Sequence, residues 1–282
     1  MQYLRPSLYR QFFVAVVICL ATACATSPTG RSQLLLISPQ AAIVESQKAY
    51  VATVNQLGAE DKLLDDPLLA DRVQVITGRV VAEAVKRYPH SADWQWSVAL
   101  IDGPDTVNAW CMAGGRMAVY SGLFIKLKLT DDEFAQIMGH EISHALANHT
   151  AERMSVAMAS SAAVVAAGVA AENHGAALAG AALAAQLAIQ LPNSRASESE
   201  ADQMGIELAA LAGYDPAAAV TLWEKMEQEG GAAPAEFLST HPAPANRRTR
   251  LKELGPAMRN IQRQGFGKPY PVEIIREGAG VP

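Results

Sequence analysis

The chain has 282 residues, with 23 Lys+Arg against 28 Asp+Glu and a formal net charge of −5. Half of it is hydrophobic, 6% is aromatic and 18% is charged, a charged share below the roughly 25% of ordinary soluble domains. An acidic, apolar chain has no electrostatic footprint for nucleic acid and is too apolar for intrinsic disorder, and three cysteines exclude a dense disulfide scaffold.

The first segment reads as an address. Arg5 and Arg10 precede the apolar run Phe12 to Leu20, and small residues follow up to Cys24. A basic start, a short apolar stretch and small residues at a cut site describe a secretory signal. Leu20 to Cys24 also resembles a bacterial lipoprotein box, which predicts residues 1–23 as a signal peptide and Cys24 as the lipidated mature N-terminus. Plain secretion and an uncleaved anchor are the alternatives. Cys111 is then the remaining free thiol, read as a small core residue. Residues 24–37 read as a tether.

Helices and strands follow in order. Ser38-Pro39 is an N-cap with proline at the first helical position, predicting a helix to about Gly58. Asp66-Pro67 repeats the signal, and Leu69, Val73, Ile76 and Val80 recur at helical spacing up to Tyr88. Trp94, Trp96, Val98 and Leu100 alternate with smaller or polar residues, which predicts a half-buried strand. Residues 105–112 and 116–120 flank Ala113-Gly114-Gly115 as a hairpin. Thr130 opens a helix predicted to run to about Met154. The alanine-rich stretch from Ala151 to Leu191 reads as a closely packed helical hairpin, with membrane-surface contact and a true span as alternatives. The chain is helical again beyond Arg195, and the Gly- and Pro-rich residues 265–282 read as a loosely ordered tail.

The chemistry is concentrated in His140-Glu141-Ile142-Ser143-His144, an H-E-x-x-H. Thr130 with Glu133 forms a capping box, which places the motif well inside a helix. At about 100° per residue, His140 and His144 share a face, and Phe134, Ile137, Met138, Ile142 and Ala145 lie toward the core. Two imidazoles one turn apart can reach one tetrahedral Zn²⁺, and Glu141 beside them is placed as general base. His149, five residues past His144, points about 140° away and reads as a packed histidine with a hydrogen-bond partner. A third ligand must come from elsewhere. Glu198 and Asp202 share a helix face, supplying one carboxylate for the metal and one to orient a ligand imidazole, with Glu200 as the alternative ligand.

With these residues in view, the sequence resembles the HtpX and CAAX-prenyl-protease type of zinc metallopeptidase. The resemblance rests on the H-E-x-x-H, the segment Glu198 to Asp202, and Thr240-His241-Pro242 followed by Arg247. Cys24 with its flanks and Thr29 to Leu34 resemble the periplasmic lipoprotein branch, the LoiP, YcaL and BepA type, without a tetratricopeptide domain. This implies an α+β, mainly α-helical gluzincin-type domain over residues 38–264, with a small sheet over the H-E-x-x-H helix. It implies one Zn²⁺ per chain on His140, His144 and Glu198, with Glu141 catalytic and Asp202 behind the ligands. Asn108 and Ala109 match the family's edge strand, which can hold an extended peptide. His241 matches a histidine near the zinc that stabilises an oxyanion or fills the open coordination position at rest. A plain helix-entry histidine is the alternative reading of that residue. Arg247 is expected to pair with a carboxylate near the cleft. The implied protein is an envelope endopeptidase acting on misfolded or misassembled outer-membrane proteins, anchored by lipid to the periplasmic face of the outer membrane. A chaperone-like assembly factor is the alternative, and no nucleic-acid partner is expected.

Overall fold

Proline-led helix starts and the H-E-x-x-H helix account for most of the architecture. The computed structural model describes residues 24–170, 192–230, 236–242 and 246–276. The signal segment expected at 1–23 and alanine-rich residues 171–191 lie outside the described residues. The described residues fall into two compact units, residues 24–39 with 151–170, and residues 40–150 with the described residues from 192 onward.

In the smaller unit, the expected tether is an antiparallel hairpin of β1 (Cys24–Thr26) and β2 (Ser32–Leu34). Gly30 turns it with φ of 89°, a conformation that favours glycine. Arg31 then grips the Glu152 carboxylate with Nη1 at 2.7 Å and Nη2 at 2.6 Å. Gln33 adds a bond to the same carboxylate, and the Ser155 hydroxyl accepts from the Ile37 N–H. This segment is ordered because a partly buried, bidentate ion pair holds it. Its partner lies 121 residues away, so local sequence could not announce it.

The larger unit opens with α1 (Pro39–Ala59) and α2 (Pro67–Arg87), both close to their expected limits. Asp66 caps α2 by accepting from the Leu69 N–H. A 3₁₀ turn at Pro89–Asp93 leads to β3 (Ser97–Ile101), and β4 (Ala109–Met112) pairs antiparallel with β5 (Arg116–Tyr120) as the hairpin reading predicted. The sheet order is β4-β5-β3-β6, with β3 parallel to both neighbours.

Two expectations fail here. β3 is buried on both faces rather than one. Val98 and Leu100 enter the main core, whereas Ala99 and Ile101 pack with Tyr50 and Val54 of α1. Small Ala99 read as a solvent-side residue, but it is small because a helix covers it. The second failure is the tail. β6 (Glu273–Ile275) joins the sheet beside β3. The approach to it is fixed by the Tyr270 N–H to Gly78 carbonyl bond and by Gln74 donating to the Val272 carbonyl. A Cβ on Gly78 would stand 2.6 Å from the Tyr270 oxygen, so glycine is required there. Residues 273–275 therefore complete the sheet instead of trailing from it.

After the short α3 (Gly122–Leu127), α4 (Asp131–Leu146) carries the H-E-x-x-H. It stops eight residues short of the expected end. Asn148 takes φ of 57° and the chain restarts as α5 (His149–Ala170). Asparagine tolerates this left-handed conformation better than most residues. The remaining helices are α6 (Arg195–Leu211), α7 (Ala218–Gly230), α8 (Glu236–Thr240) and α9 (Arg247–Ile261). The described part is thus α+β and mainly helical. None of its helices is long and apolar enough to cross a membrane.

Candidate metal centre

Helix α4 is capped at its start and buried along most of its length. The Thr130 hydroxyl accepts from the Glu133 N–H at 3.2 Å, and the Glu133 carboxylate accepts from the Thr130 N–H at 2.9 Å. Every residue from Phe134 to Leu146 is buried, so neither face is left to solvent. Helix α6 crosses it where two glycines meet. A Cβ on Gly139 would lie 2.6 Å from the Gly205 oxygen, and one on Gly205 would lie 2.7 Å from the His140 nitrogen. This close approach brings the acidic face of α6 onto the two histidines of α4.

One donor atom each from His140, His144, Glu198 and His241 then lies within 4.8 Å of the others, and all four residues are buried. The Nε2 atoms of His140 and His144 are 3.1 Å apart. Nearby, the Glu198 carboxylate has one oxygen 3.3 Å from His144 Nε2 and the other 3.4 Å from His140 Nε2. His241 follows α8, stacks on Phe237 with ring centroids 4.4 Å apart, and places Nδ1 3.1 Å from Glu198. Its other nitrogen lies 3.4 Å from Glu141 Oε1.

The surroundings fix these donors. His140 Nδ1 lies 3.0 Å from Asp202 Oδ1, leaving its Nε2 to face the cluster. Arg247 is buried over the Trp223 ring and joins two carboxylates, with Nη2 2.5 Å from Glu198 and Nε 2.7 Å from Asp202. The expected pairing of Arg247 is therefore present, and it is double. Glu200 does not join the donors. It contacts His149, whose Nδ1 lies 2.7 Å from the outer nitrogen of His144. His149 is the packed, hydrogen-bonded residue expected, but it lies against a candidate ligand. The signal that could have revealed this was Asn148, suited to breaking the helix just before it.

The electrostatics suit a cation. Burial works against charge on His140, yet Asp202 and Glu198 prevail and push its pKa up to about 10. Burial drives His144 well below the ordinary imidazole value despite Glu198. Burial pushes the Glu198 carboxyl up, but His144, His140 and His241 together hold it well below the usual range. Burial raises the Glu141 pKa, with His241 and His140 opposing. Its Oε1 is buried without a hydrogen-bond partner, aimed beside the cluster as a proton acceptor would be. Two imidazoles and a carboxylate in a dry setting fit a divalent metal with nitrogen and oxygen preferences.

Edge strand β4 lies alongside. The Cys111 N–H donates to the Glu141 carboxylate, and burial pushes the Cys111 thiol well above its ordinary value, so it is an inert core residue. Asn108 and Ala109 are both buried. The Asn108 carbonyl bonds back to the Tyr120 N–H, while its side chain donates to Glu236. The Val107 carbonyl accepts from the Phe237 N–H. By strand alternation, the backbone groups of Val107, Ala109 and Cys111 face away from β5. Ala109 can thus offer main-chain contacts to a peptide, whereas the Asn108 carbonyl cannot.

Comparison with known proteins agrees with this geometry. The mitochondrial metalloendopeptidase OMA1 of Arabidopsis thaliana is 34% identical over 65% of this chain and 36% of its own length. The OMA1 metalloendopeptidase of Bos taurus is 29% identical over 89% of this chain and 50% of its own length. The beta-barrel assembly-enhancing protease of Escherichia coli K12 is 30% identical over 72% of this chain and 43% of its own length. The chain spans about a third to a half of the length of these relatives. The model of peptidase family M48 matches residues 67–255, a stretch holding the H-E-x-x-H, Glu198, His241 and Arg247, and the chain belongs to that family.

Proposed function

We propose that the chain is a zinc-dependent endopeptidase of the bacterial envelope. The carrying observation is the convergence of His140, His144 and Glu198 with Glu141 Oε1 at their side, buried and without a hydrogen bond. Zinc held there supplies Lewis acidity toward the scissile carbonyl. Glu141 removes a proton from the attacking water and later delivers it to the leaving amine nitrogen. Burial of its carboxyl favours that uptake. Asp202 holds His140 at Nδ1, and Arg247 holds Glu198 and Asp202 in register.

His241 occupies the remaining side of the cluster. In this state it is the fourth donor, and catalysis requires an open position. It must therefore turn aside during turnover, where its ring can stabilise the developing oxyanion. Backbone groups of Ala109 align the substrate as an added strand. The signal-like segment and Cys24 support attachment to the periplasmic face of the outer membrane. The name of the Escherichia coli K12 relative, beta-barrel assembly-enhancing protease, supports β-barrel proteins as the substrates.

Glu141→Gln tests the reading. The variant should keep one metal per chain and lose casein cleavage by about 10²–10⁴-fold, the usual contribution of a general base. Unchanged cleavage would refute the assignment. A second reading, an assembly factor that binds peptide along β4 without needing cleavage, is separated by complementation. Full rescue of a deletion strain by Glu141→Gln would favour binding over hydrolysis.

A further inference from the structure

His144 must present a bare nitrogen to a metal, and its geometry shows which one. Nε2 faces His140 Nε2 at 3.1 Å and Glu198 at 3.3 Å. The proton of the neutral ring therefore belongs on Nδ1. That atom lies 2.7 Å from His149 Nδ1, a separation at which the two nitrogens share one proton. His149 must be the acceptor at Nδ1, so its own proton sits on Nε2. There it meets Glu200 Oε2 at 3.1 Å. The chain of donors has one direction: His144 Nδ1–H to His149, then His149 Nε2–H to Glu200. Reversing it would put a proton on the His144 nitrogen that faces the metal donors.

We infer that His149 and Glu200 form a buried relay that positions His144 and selects its metal-binding tautomer. The inference rests on His144 being a metal ligand, as proposed above. The two histidine ligands thus have different supports. His140 is backed directly by the Asp202 carboxylate, whereas His144 is backed by a carboxylate acting through a second imidazole. The backbone is shaped for this. In an unbroken helix His149 would point about 140° away from His144. The stop at Leu146 and the left-handed Asn148 swing it back onto His144. His149 is 1% exposed and Glu200 4%, so water does not substitute for either partner.

The full chain tests this through metal binding rather than turnover. Zinc affinity is measured by chelator competition, and ligand geometry by the visible absorption of the cobalt-loaded protein. His149→Leu should weaken zinc binding about 10–100-fold and shift the cobalt bands, as loss of a ligand's outer partner does. His149→Gln keeps an acceptor and should recover affinity. Glu200→Gln should give a smaller loss, and the pair with His149→Leu should bind no more weakly than His149→Leu alone. Parent-like affinity and spectrum in His149→Leu would overturn the relay, as would equal losses in the Leu and Gln variants or additive losses in the pair. If His149→Leu does not fold, Glu200→Gln decides, and parent-like binding there overturns the relay. His144→Ala separates this from the site reading. Metal retained by that variant contradicts the ligand assignment, whereas metal lost there with normal binding in the relay variants contradicts the relay alone.

Discussion

Arg247 shows how a single residue sets the charge balance of this site. It is buried, spans Glu198 and Asp202, and lies 3.9 Å above the Trp223 ring. Removing one partner from a buried ion pair costs about 3–5 kcal/mol, because the remaining charge is left uncompensated. Arg247→Met should therefore destabilise the metal-free protein by about that amount. Added zinc should restore part of the loss, since the cation neutralises Glu198 in place of the guanidinium. Denaturant titrations with and without zinc measure the difference, and an equal loss in both conditions would contradict this role. The family resemblance led to the expectation that Arg247 pairs with a carboxylate. It could not show the double pairing or Trp223, because the carboxylates, Trp223 and Arg247 come from three helices that meet only on folding.

At the scale of elements, helix α4 depends on its start and on its crossing with α6. Burial pushes the Glu133 carboxyl up, but Lys225, the Thr130 N–H and Thr221 together hold it below its ordinary value of 4.5. A depressed carboxyl contributes stability above its unfolded pKa and loses it as pH falls through the folded value. Glu133→Gln keeps an acceptor for the Thr130 N–H but loses the charge facing Lys225 and the helix N-terminus, and should thus cost about 1 kcal/mol at neutral pH. The gap to the parent should close as pH falls below about 4. A gap independent of pH, measured by denaturant unfolding, would contradict it. Gly205→Ala tests the crossing. Its Cβ would press on the backbone of His140, which cannot yield as a flexible side chain can. The expected cost is about 1–3 kcal/mol, with weakened metal binding, read from unfolding curves and zinc affinity. The capping box was legible because Thr130 and Glu133 are three residues apart. The glycine contact was not, since neither residue carries a local sign that the other lies opposite.

For the whole molecule, the parts readable from sequence were those written in short-range patterns. Asp66-Pro67, Ser38-Pro39 and the Thr130–Glu133 capping box marked three helices within a residue or two at their starts. The unreadable parts are joined by distant partners: Arg31 with Glu152, β6 with β3, and Ala99 under α1. The break after Leu146 lay between these cases, because helical periodicity continues through it and only Asn148 marks the turn. The candidate ligands depend on the same long-range assembly, coming from α4, α6 and the residue after α8. Anomalous diffraction at the zinc edge tests that assembly most directly. The account predicts one peak per chain at about 2.0–2.2 Å from His140 Nε2, His144 Nε2 and a Glu198 oxygen. A peak coordinated by Glu200 instead, or no zinc at this cluster in metal-replete protein, would contradict it.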